Sequence, residues 1–115
     1  MTSNKIEALS TEDFVELSEY IDDTLRLLVN VPDRLAVAVT YGETNDGEPV
    51  DEILVSIDGP RSEIAMFVGR GGETVKALHR VFYSVARRMG WKGSVRLTWD
   101  PLPEAEFVAL IAEAA

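Results

Sequence analysis

Phe67-Val68-Gly69-Arg70-Gly71-Gly72-Glu73-Thr74-Val75-Lys76-Ala77-Leu78 is the stretch on which the reading of this chain turns. Glycine at 69, 71 and 72 permits a sharp turn and leaves backbone N–H groups uncovered by side chains. Val75 and Leu78 open a helical apolar face directly after it, so a helix N-terminus with its unpaired N–H groups meets the turn. Arg70 sits inside the turn. Backbone donors, a positive dipole end and a cation in one place favour an anion such as phosphate.

The charge pattern gives this turn a setting. The 115-residue chain has a formal net charge of −9, yet residues 60–98 hold eight of its 11 Lys and Arg against only Glu63 and Glu73. Residues 1–59 carry 14 acidic residues against Lys5, Arg26 and Arg34. A basic block in an acidic chain points to a local anionic contact and argues against a general nucleic-acid binder.

Working upstream from the turn, Asp58-Gly59-Pro60 starts a short helix with Ile64, Phe67 and Val68 on its buried side. Before it, Ile53, Val55 and Ile57 alternate with Leu54, Ser56 and Asp58, a strand over residues 51–58. Leu35, Val37, Val39 and Tyr41 alternate likewise and predict an earlier strand. Residues 42–49, with Asn45-Asp46-Gly47 inside, join the two as an antiparallel hairpin. Further upstream, Ser10 and Asp13 mark a helix start, and Phe14, Leu17, Ile21, Leu25 and Leu28 form its apolar stripe. Asn30-Val31-Pro32-Asp33 ends it.

Downstream, a helix over residues 73–89 buries Val75, Leu78, Phe82, Val85, Ala86 and Met89, and stacks Lys76, Arg80, Tyr83 and Arg87 along another stripe. Val95, Leu97 and Trp99 predict a third strand, which Pro101 and Pro103 should break. Residues 104–115 read as a terminal helix with Phe107, Leu110 and Ile111 on one face. The expectation is an α+β fold: a three-stranded sheet with helices on one face, in the order α-β-β-α-α-β, plus a C-terminal helix. Its parts are a flexible leader over residues 1–9, a domain over 10–100 and a helical extension over 101–115.

Several functions are disfavoured. No cysteine is present and His79 is the only histidine, so a thiolate metal site is excluded and a nucleophile–base–orienter set is hard to build. The turn lacks the Gly-Lys-Ser/Thr of a Walker loop and the spacing of a dinucleotide fingerprint. A non-enzyme without cofactor or metal is expected. The N-terminus lacks a signal-peptide pattern. No apolar run approaches the length of a membrane span. A soluble cytoplasmic protein away from membranes is therefore expected.

The Gly-x-x-Gly turn between two central helices, with strands on both sides, resembles a KH domain of the prokaryotic, type II arrangement. The continuation Lys76-Ala77-Leu78-His79-Arg80-Val81 looks like the small bacterial KhpA-like RNA-binding proteins and the KH part of their KhpB (Jag) relatives. The likeness covers residues 14–99. It implies that Gly69, Arg70, Gly71 and Gly72 grip the backbone of single-stranded RNA, with Lys76 and Arg80 in reach of it. It implies a groove lined by Ile64, Val68 and Val75, whose other wall is the strand near residues 51–58. Trp99 reads as sheet packing and Trp91 as a loop anchor, although either ring could stack on a base. The resemblance further implies an RNA chaperone or post-transcriptional regulator, a homodimer or a heterodimer with another KH protein, and a ribosome-associated partner. Two alternatives stand beside it: a KH-fold protein-interaction module working through the acidic helix and the terminal helix, and a single-stranded DNA binder.

Overall fold

The computed structural model describes residues 6–43 and 49–102. The apolar periods of the sequence appear as helix α1 (Thr11–Arg26), strands β1 (Ala36–Glu43) and β2 (Pro49–Pro60), helices α2 (Arg61–Val68) and α3 (Glu73–Arg88), and strand β3 (Ser94–Leu102). Ser10 caps α1, its Oγ accepting from the Asp13 N–H at 3.1 Å. That bond satisfies one of the donors a helix start leaves free.

The strands form one sheet in the order β1-β2-β3. β1 and β2 pair antiparallel, with Val39 opposite Val55. β2 and β3 pair parallel, with Val55 opposite Leu97. A parallel pair needs a crossover, and α2, the glycine turn and α3 supply it. β2 is therefore central and both outer strands are edges. Ile53, Val55 and Ile57 of β2 are fully buried and meet Leu17, Ile21 and Leu25 of α1, Phe67 of α2 and Phe82 of α3 in one core. The other face of β2 carries the half-buried Leu54, Ser56 and Asp58, so the helices lie on one side of the sheet. The α+β expectation is met.

Three details depart from the sequence reading. β3 does not stop at Pro101, which lies in register with Gly59. An edge strand tolerates proline because half its N–H groups face away from the partner. β2 is longer than residues 51–58 at both ends. Residues 6–9, expected in the leader, pack partly on the core through Ile6 and Leu9, and the Leu9 N–H donates to the Tyr41 hydroxyl at 3.0 Å. Trp91 anchors the loop between α3 and β3 as expected: it is 2% exposed, lies against the Tyr41 ring and donates from Nε1 to the Ser94 carbonyl. The expected helix over residues 104–115 and the Asn45-Asp46-Gly47 turn lie outside the described residues.

One buried carboxylate ties the frame together next to the site. Glu63, 4% exposed, accepts from the Asn30 and Val31 N–H groups through Oε2 at 3.0 and 3.4 Å. It fastens the first turn of α2 to the segment after α1. The sequence reading took Glu63 only as a minor charge in the basic block.

Candidate nucleic-acid interface

The glycine turn is built as its composition suggests. Gly69, Gly71 and Gly72 all have positive φ, at 77°, 64° and 77°. Gly69 also has ψ 171°, and a Cβ there would run into the Thr74 side chain. Residues other than glycine avoid that backbone region. Gly71 is the opposite case: a Cβ would meet nothing within 4 Å. The Gly72 N–H closes the turn on the Gly69 carbonyl at 3.1 Å, and the Glu73 N–H bonds the Arg70 carbonyl. The N–H groups of Arg70 and Gly71 carry no backbone hydrogen bond among the described residues. The Arg70 side chain is exposed, with no ion pair or hydrogen bond among those residues. Two free donors and a free cation thus stand at the start of α3.

A groove of about 350 Å³ lies between α3 and β3. Val75, Lys76, His79 and Arg80 line it from the helix, and Val95, Arg96, Leu97 and Trp99 from the strand. The helical set follows from spacing, since positions 75, 76, 79 and 80 fall on one side of a helix. Val75, Val95 and Leu97 make an apolar floor; Lys76 and Arg80 are exposed at the rim and unpaired among the described residues. Arg96 is different. It pairs with Glu52 of β2, NH2 to Oε1 at 3.0 Å, so its charge is already partly met.

His79 sets the spacing of the two walls. Its Nε2 lies 2.6 Å from the Val95 carbonyl oxygen. A carbonyl only accepts, so the proton is on Nε2. The imidazole stacks on Tyr83 at 17° and 6.2 Å, and the Arg87 guanidinium lies 5.7 Å from the Tyr83 ring centre. Residues 79, 83 and 87 therefore form a ladder of planes up α3. Tyr83 and Arg87 belong to it and do not line the groove.

These positions sort the expected site residues. Gly69, Arg70, Gly71 and Gly72 form the turn just before α3 and are not among the residues lining the groove, while Val75, Lys76 and Arg80 come together on it. Ile64 does not: it is 3% exposed and packs in the core, near Leu35 across the close approach at Gly59. Val68 is half-buried against the core and is not among the lining residues. The expected second wall is also corrected. β2 has neighbours on both sides, so the wall is the edge strand β3. Val95, Leu97, His79 and Trp99 were missed as wall residues. The helix pair between two strands allows a parallel crossover, but no local pattern says which strand the last one pairs with.

The opposite edge has the opposite charge. A second cavity, of about 360 Å³, lies between α1 and β1 and is lined by Ser18, Glu19, Asp22, Asp23, Val37 and Val39. Of its acids, Asp22 is paired, with Arg26 at 3.0 Å. Asp58 and Asp100 are neighbours across β2 and β3, and burial together with the Asp100 charge raises the Asp58 carboxyl above its ordinary value of 3.8. Among the described residues no cluster of three or more His or acidic residues could hold a metal, and no helix is long and apolar enough to cross a membrane.

No family model and no curated protein sequence matches the chain. Its fold is similar to that of two solved structures. One is Era in complex with MgGDPNP and nucleotides 1506–1542 of 16S ribosomal RNA, with a TM-score of 0.54 and 19% identity over 90% of this chain. The other is a variant of Aquifex aeolicus Era bound to GDP·AlF4−, with a TM-score of 0.54 and 18% identity over 96% of this chain. The chain spans about two fifths of the length of either Era chain, at 40% and 39%. The likeness supports a KH-like fold.

Proposed function

We propose that this chain is a single-stranded RNA-binding module that holds the RNA backbone on the Gly69–Gly72 turn and the bases in the α3/β3 groove. One observation carries the reading: among the described residues the Arg70 and Gly71 N–H groups are unbonded and Arg70, Lys76 and Arg80 are unpaired, beside a groove with an apolar floor on an otherwise acidic chain. Phosphates fit the first set and base faces the second. The Era structure that holds ribosomal RNA supports the choice of RNA over other anions. On this reading the chain binds and does not catalyse, needs no cofactor, and acts in the cytoplasm. It serves as an RNA chaperone or post-transcriptional regulator of the KhpA-like kind, as a dimer of itself or with another KH protein, and near the ribosome.

Titrating fluorescently labelled RNA and DNA octamers tests it. Three phosphate-facing cations predict a log Kobs against log salt slope of about −2, at roughly 0.7 per phosphate on a single strand. Binding with a slope near zero, or no binding at all, rejects the reading, and tighter DNA binding moves it to the DNA alternative. The acidic cavity between α1 and β1 favours a second reading, a protein-interaction module for a basic partner. Failure of every oligonucleotide together with salt-sensitive capture of a Lys-rich peptide would select that one.

A further inference from the structure

We infer that Trp99 is a stacking platform for the base next to the phosphate held at the glycine turn. The inference rests on the RNA reading and adds a subsite to it. Trp99 is 40% exposed, although it lies on the helix-covered side of the sheet and in register with the fully buried Ile57. An indole at such a position normally buries its ring. Here one edge of the contact is made by Phe67, fully buried, at 6.0 Å between ring centres and 89° between planes. The rest of the ring faces the α3/β3 groove, which it lines.

Its place along the groove follows from the chain path. Val95, near the start of β3, touches His79 in the middle of α3. Trp99, four residues on, touches Phe67, two residues before Gly69. The indole therefore stands at the end of the groove nearer the turn. A nucleotide whose phosphate sits on the Arg70 and Gly71 N–H groups delivers its base to this ring. The contact is with a π-face, so it takes any base and favours the larger purine surface. His79 is held by its stack on Tyr83 and its Nε2 bond to Val95, and it lies at the end of the groove away from Phe67.

The chain has two tryptophans, and the other, Trp91, is buried at 2% exposure. Tryptophan emission therefore reads the groove directly. In parallel titrations of a mixed-sequence RNA octamer, one follows the anisotropy of a labelled strand and the other tryptophan emission with the unlabelled strand. The expected result is quenching that tracks the anisotropy, is kept by Trp91→Phe and lost by Trp99→Leu. Trp99→Leu should weaken binding roughly five- to hundredfold, the range for one base–aromatic stack, and Trp99→Phe should restore most of it. Octamers with a single abasic position should lose the quench at one or two adjacent positions only. Near-ultraviolet dichroism of Trp91 checks that the Trp99 variants are folded, and a cooperative thermal unfolding transition checks Trp91→Phe. Binding by anisotropy with unchanged emission and an unaffected Trp99→Leu variant overturns the stacking inference while leaving the RNA reading in place. No anisotropy change at all overturns the RNA reading, and the stacking inference with it.

Discussion

Reversing the charge of the turn separates binding from folding. The perturbation is the double change Arg70→Asp and Gly71→Asp. Arg70 is exposed and makes no ion pair among the described residues, so its loss removes no structural contact there. Gly71 has φ 64° and ψ 15°, and a Cβ there meets nothing within 4 Å. That is the left-handed region, which Asp enters more readily than most residues. The stability cost is therefore about 1 kcal/mol, a fall in Tm of roughly 4 °C for a domain of this size. At the phosphate the effect is larger. The pair changes the local charge by three units, and each unit about 4 Å from a phosphate is worth ~1 kcal/mol in water, reduced by roughly a third by salt. The sum is about 2 kcal/mol, a thirtyfold loss or so. The assay is anisotropy with a labelled RNA octamer at two salt concentrations, with thermal unfolding run on the same samples. The double variant should unfold cooperatively near the parent, bind more weakly, and have a flatter salt dependence. Parent-like affinity and slope in a folded double variant would refute the assignment of the turn.

Other consequences are equally specific. Gly69→Ala should destabilise by ~3 kcal/mol or more against ~1 kcal/mol for Gly71→Ala, and urea midpoints compare the two. Only Gly69 combines φ 77° and ψ 171° with a Cβ that would lie 2.7 Å from that of Thr74. Glu63→Ala should cost about 1–3 kcal/mol by leaving the Asn30 and Val31 N–H groups without their acceptor, and Glu63→Gln, which keeps an acceptor oxygen, should cost less. Asp58→Asn should raise Tm at neutral pH. The native state raises the Asp58 pKa, so its ionised form opposes folding; the gain from Asn should shrink as pH falls toward the ordinary value of 3.8, below which both states are protonated. A gain that persists unchanged at low pH would show that charge is not its cause.

The elements were legible because each depends on nearest neighbours in the chain. Ser10 with Asp13, the alternation at 53, 55 and 57, and the stripe from Val75 to Ala86 each carry their period locally. The glycine turn was legible for the same reason. The groove was not, because its second wall depends on which strand lies at the edge, and that is a fact of pairing. Val95, Leu97 and Trp99 read as one more alternating strand, and nothing local distinguishes an edge from a centre. Trp99 looked like packing because its position is on the buried face; its exposure comes with its place on the edge strand β3, where Phe67 covers only part of the ring. Glu63 was missed for a related reason. Its partners are 33 and 32 residues away, at Asn30 and Val31, and no spacing rule reaches them.

The division of charge between the two edges bears on how strongly such a module can bind. Basic side chains flank the α3/β3 groove and acids line the α1/β1 cavity on the far edge of the same sheet. A polyanion approaching from the acidic side is repelled, so encounter is oriented toward the groove. The same acid denies it the diffuse phosphate contacts that basic proteins use for non-specific affinity. What remains is the turn, Lys76, Arg80 and the bases in a groove of about 350 Å³. On the RNA reading this makes a single module weak but discriminating against duplexes, whose stacked bases do not enter such a groove. Useful affinity then comes from linking two grooves on one strand, where the second contact forms at high effective concentration. Joining two copies through a flexible linker should accordingly raise affinity for a long strand far more than for an octamer. Equal gains for both would mean that the modules do not bind side by side on one RNA.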